Sequence, residues 1–318
     1  MQLTSVLRDL NDQQLNRAIR RLAILLTITA IAFVAFYAFD RWRAPSTPII
    51  DQKVAALEQS VRENPNDIAT RGQLADTYVQ KGRFEDAIVQ YDLIIASGQE
   101  RELAHFGRAA AYMGVGRLDE AAADYLVVVE IAKGGEMANV DPTLESAYYN
   151  LGLIALQQSR ATDAVTYLES ALRIKRSDAD ALYLIGQAYT QTGALDRAEL
   201  ALRRAVAFVP IGWPEPYTAL ATMFTTANRP AMAEWASAMA DVAAGKPALA
   251  EPRLLAIAEG DAALDAAIGL GLLYETTGDA AAAATWYAKA LAIDPTTDAA
   301  KLGIGRVGGL PAATGATQ

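Results

Sequence analysis

The sequence lacks the residues on which most metal and redox sites are built. Its 318 residues include no cysteine and one histidine, His105. The absence of cysteine excludes disulfides and thiolate metal sites. A single histidine with no nearby carboxylate cluster cannot form a zinc site of the usual composition. We therefore expect His105 to be a packed or surface residue, and the sequence predicts no metal and no cofactor.

Signals for phosphate binding, nucleophilic catalysis and nucleic-acid binding are also missing. Neither GxxxxGK[ST] nor GxGxxG after a strand is present, and no constellation suits nucleophilic catalysis. Residues 1–50 carry six arginines against three aspartates, or +3, so the net charge of -9 leaves -12 on residues 51–318. This acidic body argues against a nucleic-acid groove, which needs clustered lysine and arginine. The sequence therefore predicts neither an enzyme nor a nucleic-acid-binding protein.

What the chain does contain is a repeated pair of short amphipathic helices. In residues 148–174, apolar and small residues recur at helical spacing on both sides of a break near Ser159. A pair of this size cannot bury its apolar faces alone, and the same template recurs about 34 residues later. The recurring positions in five copies are Leu74, Ala75, Tyr78, Gly82, Ala87, Tyr91 and Ile94; Ala109, Tyr112, Gly116, Ala121, Tyr125 and Val128; Tyr148, Leu151, Gly152, Ala155, Ala164, Leu168 and Ala171; Ile185, Gly186, Tyr189, Gly193, Ala198, Leu202 and Ala205; and Leu270, Gly271, Tyr274, Gly278, Ala283, Tyr287, Ala290 and Pro295. One further copy, the fifth along the chain, fits more loosely at Leu220, Ala221, Phe224, Asn228, Ala233, Ser237 and Ala240.

This pattern resembles the tetratricopeptide repeat family, with about six copies between about Pro65 and Pro295. The resemblance implies an all-α fold, a right-handed α-solenoid of about six helix pairs. We expect this solenoid to occupy residues 51–307. It has an insertion at residues 133–142, an extra short helix near residues 246–260 and a capping helix near residues 298–307. The helix at residues 51–63 is either half of a degenerate copy or a cap. Residues 308–318 read as a disordered tail.

The resemblance also implies where a partner binds. In this family the first helices of successive repeats line a concave groove, which holds a peptide or a partner helix. Carried onto this chain, the groove-lining side chains are Phe106, Ala110, Met113, Tyr149, Leu153, Leu156, Tyr183, Gln187, Thr190, Thr218, Thr222 and Thr225. This surface is aromatic and aliphatic in the middle and threonine-rich at its far end, so we expect an apolar helix or extended segment to bind. The alternative is that some of these residues only pack against neighbouring repeats or against the amino-terminal helix.

A long apolar run lies before the repeats. Residues 22–39 carry no charge, and at 1.5 Å per residue they would cover roughly 27 Å, which predicts one transmembrane helix. A core helix or a cleaved signal peptide is the alternative. The excess of arginine before the run predicts a cytoplasmic amino terminus and extracytoplasmic repeats. The polar segment 1–21 precedes this run, and a spacer, 40–50, follows it. The residues of the predicted anchor are Leu22, Ile24, Leu25, Leu26, Ile28, Ile31, Phe33, Val34, Phe36, Tyr37 and Phe39.

These features together predict a membrane-anchored scaffold for protein–protein interaction. Its expected use is the assembly or maturation of a membrane or envelope complex. A permanent subunit of a membrane complex, bound through the transmembrane helix, is the alternative within this class. An enzyme with its activity in residues 241–260 is the alternative from another class, but that stretch contains no histidine, serine or threonine.

Overall fold

The chain folds as an all-helical protein, as the sequence predicts. The computed structural model describes the backbone of residues 12–42 and 48–308 and the side chains of residues 19–34 and 48–308. In these ranges there are sixteen α-helices, one short 3-10 helix at Ala138–Val140 and no strand. The α-helices are α1 Asp12–Trp42, α2 Ile49–Glu63, α3 Ile68–Gln80, α4 Phe84–Ser97, α5 Arg101–Gly114, α6 Leu118–Ala132, α7 Pro142–Gln157, α8 Ala161–Ile174, α9 Ala179–Gln191, α10 Leu195–Phe208, α11 Glu215–Thr226, α12 Pro230–Ala243, α13 Pro247–Ala256, α14 Ala263–Thr277, α15 Ala280–Ile293 and α16 Asp298–Arg306.

Residues 1–63 form one unit and residues 64–318 form another. The first unit contains α1 and α2. Among the residues that the structure describes, no helix combines the length and apolar character that crossing a membrane requires.

The prediction of a single-pass membrane protein is therefore wrong. The prediction that the repeats are extracytoplasmic depended on the transmembrane helix and no longer applies. Phe36, Tyr37 and Phe39, which were predicted as anchor residues, lie outside the described side chains. The predicted tail 308–318 also lies outside the described residues, except for Gly308.

The second unit is a stack of helix pairs. The pairs are α3–α4, α5–α6, α7–α8, α9–α10 and α11–α12, followed by the single helix α13, the pair α14–α15 and the last helix α16. Each helix contacts the next one along the chain, and α9 also contacts α7 and α11. This is the helical solenoid that the repeated pattern predicts. The extra helix expected near residues 246–260 is α13, and the capping helix expected near residues 298–307 is α16.

Local sequence fixes where the helices begin and where the chain turns. Asp67 and Asp178 cap α3 and α9, and their carboxylates accept from Thr70 N at 3.1 Å and Ala181 N at 2.9 Å. Between the two helices of a pair, one residue takes the left-handed conformation, which suits glycine. Ser159 and Asn228 hold that position in two pairs, with φ of 58° and 55°. The turn is therefore preserved in these two pairs at some backbone strain.

Close helix contact within a pair depends on glycine. A Cβ added at Gly152 would lie 2.5 Å from Leu168 Cγ, and one added at Gly186 would lie 2.5 Å from Leu202 Cγ. Both leucines are completely buried. The small residue on the first helix and the large one on the second are thus two halves of one contact, and the contact recurs in successive repeats.

The second helix of the fifth pair, α12, departs from the expected register. The loosely fitting template positions Ala233, Ser237 and Ala240 are only half-buried. The polar face of α12 is held by Arg253 of α13, whose guanidinium donates to Glu234 at 2.6 Å, Ser237 Oγ at 2.8 Å and Asp241 at 2.7 Å. The face that is buried instead consists of Met232, Trp235, Ala236, Ala238, Met239, Val242 and Ala243.

The reason for this change is that α12 packs against more than one partner. Besides α11 it contacts α13 and α14, and α14 in turn contacts α16. A Cβ at Gly269 of α14 would meet Met239 Sδ at 2.8 Å, so the two helices lie close together. Helix α12 is therefore the second helix of one pair and also acts as a first helix toward α13.

Candidate functional site

The predicted groove residues lie on the first helices of four successive pairs, α5, α7, α9 and α11. Eight of the predicted groove residues are half-buried, so each keeps part of its side chain open to solvent. They are Phe106, Met113, Tyr149, Leu153, Leu156, Tyr183, Gln187 and Thr190. Because α9 contacts both α7 and α11, the residues on these three helices form one surface.

At α5 the predicted residues take part in packing the repeat. The rings of Phe106 and Tyr125 meet edge to face with their centroids 5.4 Å apart. The Tyr125 hydroxyl donates to Met113 Sδ over 3.7 Å. Tyr125 itself is almost fully buried. Phe106 and Met113 therefore cover the core of their repeat, and this end of the surface is the least free to adapt to a ligand.

The middle of the surface, on α7, is apolar with an acidic edge. Tyr149, Leu153 and Leu156 pack against the large core cluster while remaining partly open. Burial raises the pKa of the Tyr149 hydroxyl, and the negative charge of Asp180 raises it further. The phenol is therefore neutral at physiological pH, and it can both donate and accept a hydrogen bond.

A cavity of about 380 Å³ lies between α9 and α11. It brings together the three predicted residues of α9, Tyr183, Gln187 and Thr190, with Thr218 and Thr222 of α11. The Thr218 and Thr222 hydroxyls donate to backbone carbonyls of their own helix, at 3.2 Å and 3.0 Å. Their oxygen lone pairs and methyl groups remain available to a ligand, so the cavity offers acceptors beside apolar surface.

Two features of this cavity were missed by the sequence reasoning. Trp213, in the loop before α11, packs edge to face on Tyr183 with ring centroids 5.4 Å apart. Glu215 lines the cavity and, after burial, is the next cause that raises the pKa of Tyr183. The acidic residues could have been found, because Asp180 and Glu215 each stand three residues before an expected groove residue in the repeat register. Trp213 lies outside that register, so no sequence signal pointed to it.

His105, the one histidine, belongs to a buried structural network. Its Nδ1 lies 2.7 Å from an Asp124 oxygen, and Arg108 donates to both Asp124 oxygens at 2.7 Å. His105 and Asp124 are both buried, so the histidine is packed, as expected. Over the described ranges, no group of three or more histidine, aspartate or glutamate side chains could hold a metal ion.

Comparisons with known proteins identify the repeats. One family model, described as tetratricopeptide repeat, matches residues 149–212 and 236–297, and a second with the same description matches residues 54–110. The match at 236–297 begins inside α12, in agreement with the use of α12 as a first helix. A curated relative, the tetratricopeptide repeat and J domain-containing co-chaperone DNJ1 of Fusarium oxysporum f. sp. lycopersici, is 32% identical over 83 residues. That stretch covers 26% of this chain and only 16% of the relative.

Solved structures share the fold at low identity. The C-terminal part of a repeat protein from Cytophaga hutchinsonii matches with a TM-score of 0.52 at 16% identity, covering 80% of this chain and 94% of that chain. YrrB, described as a tetratricopeptide repeat protein with an unusual peptide-binding site, matches with a TM-score of 0.51 at 18% identity, covering 62% of this chain and 96% of that chain.

Proposed function

We propose that this chain, which belongs to the tetratricopeptide repeat family, is a non-enzymatic scaffold that binds a peptide segment of a partner protein along α7, α9 and α11. The observation that carries the proposal is the cavity between α9 and α11, which gathers Tyr183, Gln187 and Thr190 with two threonines of the next repeat. YrrB, which shares the fold, is described as having a peptide-binding site.

The surface selects for a particular chemistry. An apolar side chain of the partner would be buried against Tyr149, Leu153 and Tyr183, with a gain of about 25 cal/mol per Å² before ordering costs. Gln187 can pair with the backbone of an extended segment, because its amide both donates and accepts. Asp180 and Glu215 favour a lysine or arginine beside the apolar residue. The preferred ligand is therefore an apolar segment with a basic neighbour.

Peptide selection on the purified chain tests this proposal. Random peptides displayed on phage are selected, and the affinity of each enriched peptide is then measured by fluorescence anisotropy. Thr222→Arg places a long cationic side chain in the cavity. Tyr149→Glu with Leu153→Glu replaces the apolar middle of the surface with charge. We expect each change to weaken binding about tenfold or more, as for a central interface residue.

The matched control is Thr285→Arg on α15. Thr285 is exposed, and its hydroxyl donates to a carbonyl of its own helix at 2.9 Å, as that of Thr222 does at 3.0 Å. We expect it to leave affinity unchanged, while circular dichroism shows equal helicity for all variants. Enriched peptides that bind the Thr222→Arg chain as tightly as the parent would reject the groove as their site.

A further inference from the structure

A second cleft lies on the other side of α9, between the second helices α8 and α10. Its volume is about 580 Å³. Leu172 of α8, Leu182 and Ile185 of α9, and Ala201 of α10 form an apolar floor. Leu200 stands at the edge of the cleft with 63% of its surface exposed. The sequence pattern pointed only to the first helices, so this cleft was not predicted.

The rim of the cleft carries four arginines and one carboxylate, Glu169, which forms an ion pair with Arg197 only. Arg197 pairs with Glu169 and also donates to the Tyr189 hydroxyl at 2.5 Å. Arg173 donates to Ser170 Oγ at 2.6 Å, and Arg204 donates to the backbone oxygen of Arg176 at 2.7 Å.

Across the part of the chain that the structure describes, no carboxylate lies within ion-pair distance of Arg173, Arg176 or Arg204. Most other arginines of the repeats, by contrast, have an acidic partner. Four arginines against Glu169 leave a net charge of +3 on the lining of the cleft, in a body that carries -12 overall.

We propose that this cleft binds an acidic peptide segment in which a leucine-like side chain lies between carboxylates. The apolar floor would take the aliphatic side chain, and the guanidiniums of Arg173, Arg176 and Arg204, none of which is in an ion pair, would donate to the flanking carboxylates. Arginine suits this task, because its planar fork can donate two hydrogen bonds to one carboxylate. A positive patch on an acidic body also guides an acidic ligand to one place on the surface.

The geometry argues against a nucleic acid as the ligand. Single-stranded nucleic acids are held by aromatic rings that stack on successive bases. Tyr189 is the one aromatic residue among those that line the cleft, and the Arg197 guanidinium lies over its ring at 4.2 Å from the centroid. The floor consists of aliphatic side chains, which offer no stacking platform. The cleft therefore fits a peptide better than a base.

The cleft is independent of the groove proposed above. Leu182, Ile185 and Tyr189 of α9 line the cleft, whereas Tyr183, Gln187 and Thr190 of the same helix line the cavity toward α11. The two sets occupy different faces of α9, so both sites can be filled at the same time. The chain would then hold an apolar-basic segment on one side and an acidic segment on the other.

Two labelled peptides test the acidic cleft on the full chain by fluorescence anisotropy. The probe is a fluorescein-labelled peptide in which leucine alternates with glutamate, and the comparison peptide has glutamine in place of every glutamate. We expect the glutamate peptide to bind more tightly, and added salt to weaken it. Arg173→Gln with Arg204→Gln should weaken it about fivefold to tenfold, since each exposed pair contributes little. Leu200→Ser should weaken it as well, but should have no effect on a peptide with serine in place of leucine.

The matched control is Arg62→Gln with Arg101→Gln, which removes two exposed positive charges outside the cleft. We expect it to leave the affinity for the glutamate peptide within about twofold. The proposal is overturned if the control weakens binding as much as the cleft variant, because the attraction is then only overall charge. It is also overturned if the glutamine peptide binds equally well, or if a single-stranded oligonucleotide displaces the probe and binds more tightly. The groove variant Thr222→Arg should not change this binding, so failure here and failure of the proposed function are separate results.

Discussion

Replacing Gly186 with alanine tests whether the solenoid depends on close contact within each helix pair. The new Cβ would lie 2.5 Å from Leu202 Cγ and 2.6 Å from its Cδ2, whereas an ordinary contact begins at 3.4 Å. Leu202 is completely buried and has no open side toward which to move. Overpacking of this kind costs about 1–3 kcal/mol. Alanine is also the better helix former, by about 1 kcal/mol. We therefore expect a net loss of stability of up to about 2 kcal/mol.

Gly72→Ala in α3 is the matched control. Its Cβ would have nothing closer than Ile94 Cδ1 at 4.0 Å, so the helix preference acts alone and the chain should gain about 0.5–1 kcal/mol. Urea unfolding followed by far-UV circular dichroism compares the midpoints, since a repeat array need not unfold in one step. Leu202→Ala removes the Cγ and both Cδ atoms near the new Cβ, so the clash caused by Gly186→Ala should disappear in that background, which appears as coupling in a double-mutant cycle. If Gly186→Ala stabilises the chain as much as Gly72→Ala does, the account of the pair contact is refuted.

Three further predictions follow from the fold. Ser159→Gly should raise the free energy of unfolding by about 0.5–1 kcal/mol, because glycine adopts φ of 58° without strain. The urea midpoint should rise accordingly, and a fall would contradict this. Ala164→Leu should lower stability by about 1–3 kcal/mol, measured in the same way, because Ala164 has no exposed surface. An unchanged midpoint would contradict this, because the core would then accept a larger side chain without cost. The hydrogen bond from Arg306 lowers the pKa of Glu275. Its stabilisation should therefore be complete above the ordinary glutamate pKa of about 4.3 and be lost as the pH falls through the lowered value. Glu275→Gln should remove that part of the acid sensitivity in unfolding curves recorded across pH, and an unchanged profile would show that the pair is unimportant.

Much of the fold could be predicted because the repeat leaves a physical trace in the sequence. Small residues stand where two helices touch, as at Gly152, and a large residue stands opposite, as at Leu168. This pairing of a small residue with a large one recurs at a fixed period, so the sequence pattern predicts how the helices pack. The register failed at α12, where Ser237 is bound by Arg253 of the extra helix α13. Helix α13 is inserted between repeats, so its contact with α12 does not recur at the repeat period and cannot be detected from the pattern.

The candidate site was predicted less completely. The predicted groove residues between α9 and α11 follow from the repeat register, whereas Trp213 lies in an irregular loop outside it. The acidic residues Asp180 and Glu215 lie in the register but were not among the predicted groove residues. The basic cleft was missed because Arg204 of α10 is separated by 28 residues from Arg176, which follows α8, and only the fold brings them together. The membrane anchor was inferred from the hydropathy of residues 22–39 alone, but no helix among the described residues combines the length and apolar character of a membrane span.

The change of role at α12 would limit the length of a segment that binds along the proposed groove. One row of mutually contacting helices runs α7, α9, α11, and the next row runs α12, α14, α16. Neighbouring helix axes lie about 8–10 Å apart, so the first row is roughly 20 Å across. An extended chain advances about 3.4 Å per residue, and roughly six residues fill that distance. A short linear motif, rather than a whole folded domain, matches this footprint.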